Sequence, residues 1–133
     1  MNPDQIRYGV LLFSALILSL SVHEAAHAYT AHLLGDDTAK RHGRLTLNPL
    51  AHLDQLGTIM IALIAFAGMG FGWAKPVPID PLQFKVNSRH RDIGLVALAG
   101  PVSNLFQAIV AYWGWLALQR FTGNGFSLGI DLF

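Results

Sequence analysis

The chain has 133 residues, 53% of them hydrophobic and only 13% charged, with a formal charge of +1 and no cysteine. The length suits one compact unit, and a charge so near zero implies no nucleic-acid partner. Disulfides and thiolate-bound metal are both excluded. A soluble domain carries about a quarter charged residues. Here the charges gather in short stretches, and the long runs between them read as a membrane protein.

The first apolar run extends from Tyr8 to Leu34 and carries no charge from Tyr8 to Val22. It lacks a basic leader region and a small-residue cleavage site, so it reads as part of the fold. Gly35, Asp36 and Asp37 follow as a helix stop. At 1.5 Å per residue the run spans about 40 Å, enough for a bilayer core of roughly 30 Å. Residues 36–55 are polar, and the alternation Arg44-Leu45-Thr46-Leu47-Asn48 before Pro49 predicts a short strand or β-hairpin in the 44–50 region. The second apolar run, Leu56 to Trp73, is short and glycine-rich, with Gly68 to Gly72 fitting the helix-packing pattern G-x-x-x-G. Residues 74–92 form a second polar loop. The third run, Ile93 to Gln119, has no charge but contains Pro101, which predicts a kink near Gly100. Tyr112, Trp113 and Trp115 near its end suit a membrane interface. The expected fold is an all-α polytopic membrane protein with two or three membrane-embedded helical segments, forming a single domain over 1–133.

Two topologies stay open. If all three runs cross, five basic residues face four. If Leu56–Trp73 dips in and returns, both loops share one side. Lys40, Arg41, Arg44, Lys75, Lys85, Arg89 and Arg91 then oppose Arg7 and Arg120. Seven against two places the loops in the cytoplasm by the positive-inside rule, and this reading is favoured.

The chemistry lies in His23-Glu24-Ala25-Ala26-His27, an H-E-x-x-H pattern. On a helix, positions four apart share a face, so two imidazoles can reach one metal ion. The Glu between them is placed to act as general base toward a metal-activated water. Glu24 is the chain's only glutamate and there are six histidines. Random scatter of these residues produces the pattern with a probability of roughly 0.002, so chance is a poor explanation. The competing account, a buried polar cluster holding helices together, leaves an ionisable group in an apolar run at about 2.5–3.5 kcal/mol. His32 lies on the opposite face and reads as an interfacial or packing residue. A catalytic zinc normally has three protein ligands and one open position. His52, Asp54, Asp80, His90 and Asp131 are the remaining donors, and none lies in a charge-free run.

These residues resemble the site-2 protease family of intramembrane metalloproteases, in its compact prokaryotic branch without a PDZ domain. The resemblance rests on Ser21 to Ala28 around the histidines and on Leu34-Gly35-Asp36-Asp37-Thr38-Ala39-Lys40. It continues through Gly43 to Leu50, His52-Leu53-Asp54, Phe71 to Pro78 and Ala99-Gly100-Pro101-Val102-Ser103-Asn104. It implies one zinc ion per chain on His23 and His27, with Glu24 as base. Asn104 would hold the substrate or the developing oxyanion, and Gly100-Pro101 would open its helix at the site. It implies proteolysis of transmembrane substrate proteins in a prokaryotic cytoplasmic membrane, with the active site nearer the cytoplasmic side. The family's third zinc ligand is an Asp in a later Asn-x-x-Pro-x-Pro-x-x-Asp-Gly motif, which has no counterpart here. Asp80 follows Pro76-Val77-Pro78 but lacks the Gly. The expectation is therefore a metalloprotease core lacking the last catalytic helix, with its third ligand unidentified. Its alternative is an inactive fragment or membrane adaptor that binds transmembrane helices without cutting. A homo-oligomer is compatible with either.

Overall fold

A computed structural model describes residues 2–70, 72–85 and 89–122. It contains four α-helices: α1 (Pro3–Leu33), α2 (Thr38–Arg41), α3 (Gln55–Ala67) and α4 (Arg89–Thr122), with a 3-10 turn at Pro49–Ala51. The start of α1 is set by local chemistry. The Asn2 side chain accepts from Gln5 N at 2.8 Å while Asn2 N donates to Gln5 Oε1 at 2.9 Å. This reciprocal cap, with Pro3 in the first turn, satisfies donors that a helix end otherwise leaves open.

Helices α1 and α4 are long and apolar enough to cross a membrane. They pack antiparallel, because His27 Nδ1 meets Val96 O at 2.6 Å while Gln107 Nε2 reaches Ser19 O at 3.5 Å. Their contact faces are stripes of small or compact residues. Ser21, Glu24, Ala28 and Ala31 are buried on α1, opposite Asp92, Val96 and Gly100 on α4. Small residues let the helix backbones approach closely where hydrophobic force between helices is weak. The outer faces are apolar as well. Leu98, Val102, Leu105 and Phe106 of α4 are between 60% and 68% exposed. A soluble core helix would bury that surface within the fold.

The second apolar run goes out and comes back. Helix α3 has 13 residues, about 20 Å, short of the roughly 30 Å hydrocarbon layer. Gly68 ends it in the left-handed region at φ +66, a conformation glycine adopts without a Cβ penalty. The chain then retraces the helix. A Cβ on Gly72 would lie 2.7 Å from Ile61 Cγ1, and one on Gly57 3.3 Å from the Trp73 carbonyl carbon. The return ends where it began, with Lys75 N donating to His52 O at 3.1 Å. Gly68 and Gly72 are therefore a helix cap and a return contact, and the G-x-x-x-G pattern is not a helix face.

The two polar loops gather at one end of the helix pair. Lys85 N donates to Leu34 O at 3.0 Å, and Arg44 Nη1 donates to Lys75 O at 3.1 Å. Asp36 ties this end together, its two oxygens accepting from Thr38 N at 2.8 Å and Asp80 N at 2.6 Å. The strand or hairpin expected at 44–50 does not form, and no strand occurs among the described residues. Local bonds take its backbone groups: Thr46 Oγ1 accepts from Asn48 N at 3.1 Å, and Asn48 Oδ1 accepts from Leu50 N at 3.1 Å. Pro49 has no N–H to offer a ladder. Pro101 does not interrupt α4, which runs through it.

Candidate metal centre

Helical spacing brings His23 and His27 together on α1, their ring centroids 4.7 Å apart and their planes nearly perpendicular at 80°. One ligand atom from each of His23, Glu24 and His27 lies within 4.8 Å of the others. No other such group of three occurs among the described residues. Glu24 is buried and the histidines are half-buried. The Glu24 carboxylate accepts no hydrogen bond from a described residue, and it faces a cleft instead.

Two cross-helix contacts prepare the imidazoles. His27 Nδ1 lies 2.6 Å from Val96 O. A carbonyl only accepts, so Nδ1 carries the proton there and Nε2 keeps its lone pair for a metal. Gly100 supplies the second contact. A Cβ at that position would lie 2.6 Å from His23 Cε1 and closer still to both Nε2 atoms. The bare Cα thus leaves open the space on which the two metal-binding nitrogens converge. Two imidazoles whose Nε2 atoms converge, a carboxylate beside them and no obstructing side chain fit a zinc ion. His23 and His27 would hold it.

The cleft has a volume of about 280 Å³. Glu24 and His27 form its floor, Pro76 and Val77 of the second loop one wall, and Ile93 and Ala97 of α4 another. Its lining is mainly apolar, which raises the strength of any electrostatic interaction inside.

The remaining candidate donors do not join the centre. His52 is fully buried at the loop end, with Nε2 2.8 Å from Thr46 O. Asp54 caps α3, accepting from Gly57 N at 3.0 Å. Asp80 accepts from Leu82 N at 3.0 Å and Gln83 Nε2 at 2.9 Å. These bonds hold its carboxyl below the usual carboxylate range, Gln83 contributing most. His90 is exposed at the start of α4, and Asp131 lies outside the described residues. His32 pairs with Asp37 at 2.5 Å, as a surface residue rather than a ligand. Asn104 sits one turn after Gly100, exposed, its amide oxygen 3.3 Å from Gln107 Nε2. Sequence reasoning missed the Val96 carbonyl, because a backbone acceptor on another helix leaves no mark in residue identity. It also read Gly100 as part of a helix opening, whereas α4 continues through Pro101 and Gly100 yields space to the imidazoles. Its place within the Ala99-Gly100-Pro101 motif was the available signal.

A helix-borne His-Glu-His centre with one orienting carbonyl and an apolar cleft defines a zinc-metalloprotease type of site. YwhC of Bacillus subtilis, which carries a provisional zinc-metalloprotease name, is 47% identical over 92% of this chain and 54% of its own length. Rip2 of Mycolicibacterium smegmatis, named in the same provisional way, is 34% identical over 78% of this chain and 41% of its own length. Rip2 of Mycobacterium tuberculosis, again so named, is 30% identical over 76% and 38%. The chain thus spans about half the length of the first relative and less of the others. No family model and no solved structure matches the chain. The chain is a relative of these proteins over most of its own length, and its motifs resemble the site-2 type of zinc metalloprotease.

Proposed function

We propose that the chain is the core of an intramembrane zinc metalloprotease that hydrolyses peptide bonds of transmembrane substrate proteins. The observation that carries this reading is the convergence of His23, Glu24 and His27 on a helix long and apolar enough to cross a membrane. When bound, zinc supplies Lewis acidity toward the substrate carbonyl and toward water. His23 and His27 hold it through Nε2, and the Val96 carbonyl keeps the His27 ring in the required tautomer. Glu24 takes up a proton at its carboxylate and returns it to the leaving amine, free to do so because no described residue occupies it. Asn104 donates from its amide to the oxyanion as charge develops there. The apolar cleft walls lower the local dielectric around Glu24, strengthening its interactions with the reacting groups.

The third protein ligand is a carboxylate from outside the described residues, as the family resemblance implies. The relatives' greater length accommodates such a residue. We read the loop end as the cytoplasmic one, a reading its seven basic residues support through the positive-inside rule. From the loop end of α1, His27 lies six residues before Leu33, about 9 Å along the axis, and His23 about 15 Å. The centre therefore lies nearer the cytoplasmic face.

The test uses the protein from its full open reading frame, loaded with zinc, in liposomes with a labelled single-span membrane protein. Cleavage is expected for the native protein and a loss of at least about 100-fold for Glu24→Gln, with zinc content unchanged. Undiminished cleavage by Glu24→Gln removes Glu24 from its role. Substrate binding without any cleavage supports the adaptor alternative.

A further inference from the structure

Pro101 lies inside α4 and has no N–H. The carbonyl four residues earlier, that of Ala97, therefore lacks its helical donor. Such freed groups in membrane helices are normally satisfied by a neighbouring side chain or water. No described side chain donates to the Ala97 carbonyl, and Ala97 is exposed and lines the cleft that contains Glu24 and His27. The adjacent carbonyl, Val96, is already committed to His27. Two consecutive residues of one helix thus line the cleft. The Val96 carbonyl orients a metal-binding ring, and the Ala97 carbonyl has no N–H four residues on to receive.

We infer that the Ala97 carbonyl is a substrate-binding acceptor that takes a hydrogen bond from one backbone N–H of an extended peptide lying in the cleft. The class of ligand follows from the chemistry. The acceptor requires a donor, and the surrounding Pro76, Val77 and Ile93 favour an apolar one. A peptide amide beside an aliphatic side chain meets both demands. An amide still in its own helix has no free N–H, so the bond is made only to unwound backbone. This inference rests on the protease reading for the identity of the ligand. In the same view Pro101 is costly to the helix and is retained because it frees the acceptor.

The experiment measures binding of a fluorescent 20-residue apolar peptide to the zinc-loaded Glu24→Gln protein in detergent. A set of variants of the peptide replaces one backbone amide at a time by an ester, which removes a single N–H. With Pro101 in place, one ester position is expected to weaken binding about tenfold, equivalent to about 1.4 kcal/mol. In Pro101→Ala, and independently in Pro101→Ser, the restored helical N–H occupies the Ala97 carbonyl. The parent peptide then binds about tenfold more weakly and no ester position stands out. Both variants are expected to unfold at higher temperature than the parent, so the loss is not a failure to fold. A flat ester profile with Pro101 present, or an unchanged profile in both variants, overturns the inference. That outcome leaves the protease reading intact, which instead falls, together with the inference, if the parent peptide is neither bound nor cut.

Discussion

Glu24 and Asp36 are both buried carboxylates, twelve residues apart at opposite ends of the functional stretch of α1 and its exit loop. Asp36 is saturated, each oxygen accepting a backbone N–H. Glu24 accepts none from a described residue and opens onto a cleft. The first arrangement holds loops in place, and the second keeps a base free to exchange protons. Asp92 extends the comparison. It is 1% exposed, and neither oxygen has a partner among the described residues. Burial alone therefore does not separate structural from chemical carboxylates, whereas the partners and the neighbouring space do.

Substitutions can break this comparison. The largest effect is expected at the Glu24 end from Gly100→Ala, whose Cβ would collide with both imidazoles. Zinc content should fall about tenfold or more, as for loss of a ligand, and metal analysis of the purified variant checks it. Next comes Asp36→Asn, which turns an NH₂ group toward one of two N–H donors. It should destabilise by about 3 kcal/mol and lower the unfolding temperature, with zinc retained. Glu24→Gln should change stability by less than about 0.5 kcal/mol, since no hydrogen bond from a described residue is lost. A large destabilisation there would make Glu24 a structural residue like Asp36.

The smallest effect concerns the half-buried surface pair His32–Asp37. The hydrogen bond from His32 holds the Asp37 carboxyl below its ordinary value of 3.8, helped by the charges of His32, Lys40 and Arg41. A lowered carboxylate stabilises the fold above that ordinary value, and the contribution fades as pH falls through the lower folded value. Asp37→Asn should therefore lower the unfolding temperature slightly at neutral pH. The difference should close below about pH 4. A gap that persists there would assign the effect to something other than ionisation.

Much of the centre was legible because it is local. His23, Glu24 and His27 lie on one turn, and helical periodicity alone brings the two rings to one face. The two long helices were equally plain from their apolar length. The out-and-back path of α3 was open to inference from its shortness and its glycines. Tertiary arrangement was not legible. Val96, Gly100 and Ala97 acquire their roles from the register between α1 and α4, which no residue pattern states. The 44–50 segment misled because alternation predicts a strand only if a partner strand exists. Here Thr46 and Asn48 bond locally, and Arg44 reaches to Lys75 instead. Asp36 read only as part of a helix stop and Asp80 only as a spare donor, until the folded loops placed the Asp80 N–H on the Asp36 carboxylate.

The central claim is that two Nε2 atoms on α1 bind one zinc ion. X-ray absorption at the zinc edge, on protein purified in detergent at measured stoichiometry, tests it most directly. About one zinc per chain is expected, with two imidazole nitrogens at about 2.0–2.1 Å, and loss of that signal in His23→Ala. Protein that folds fully without zinc, or that retains the same zinc signal in His23→Ala, would contradict it.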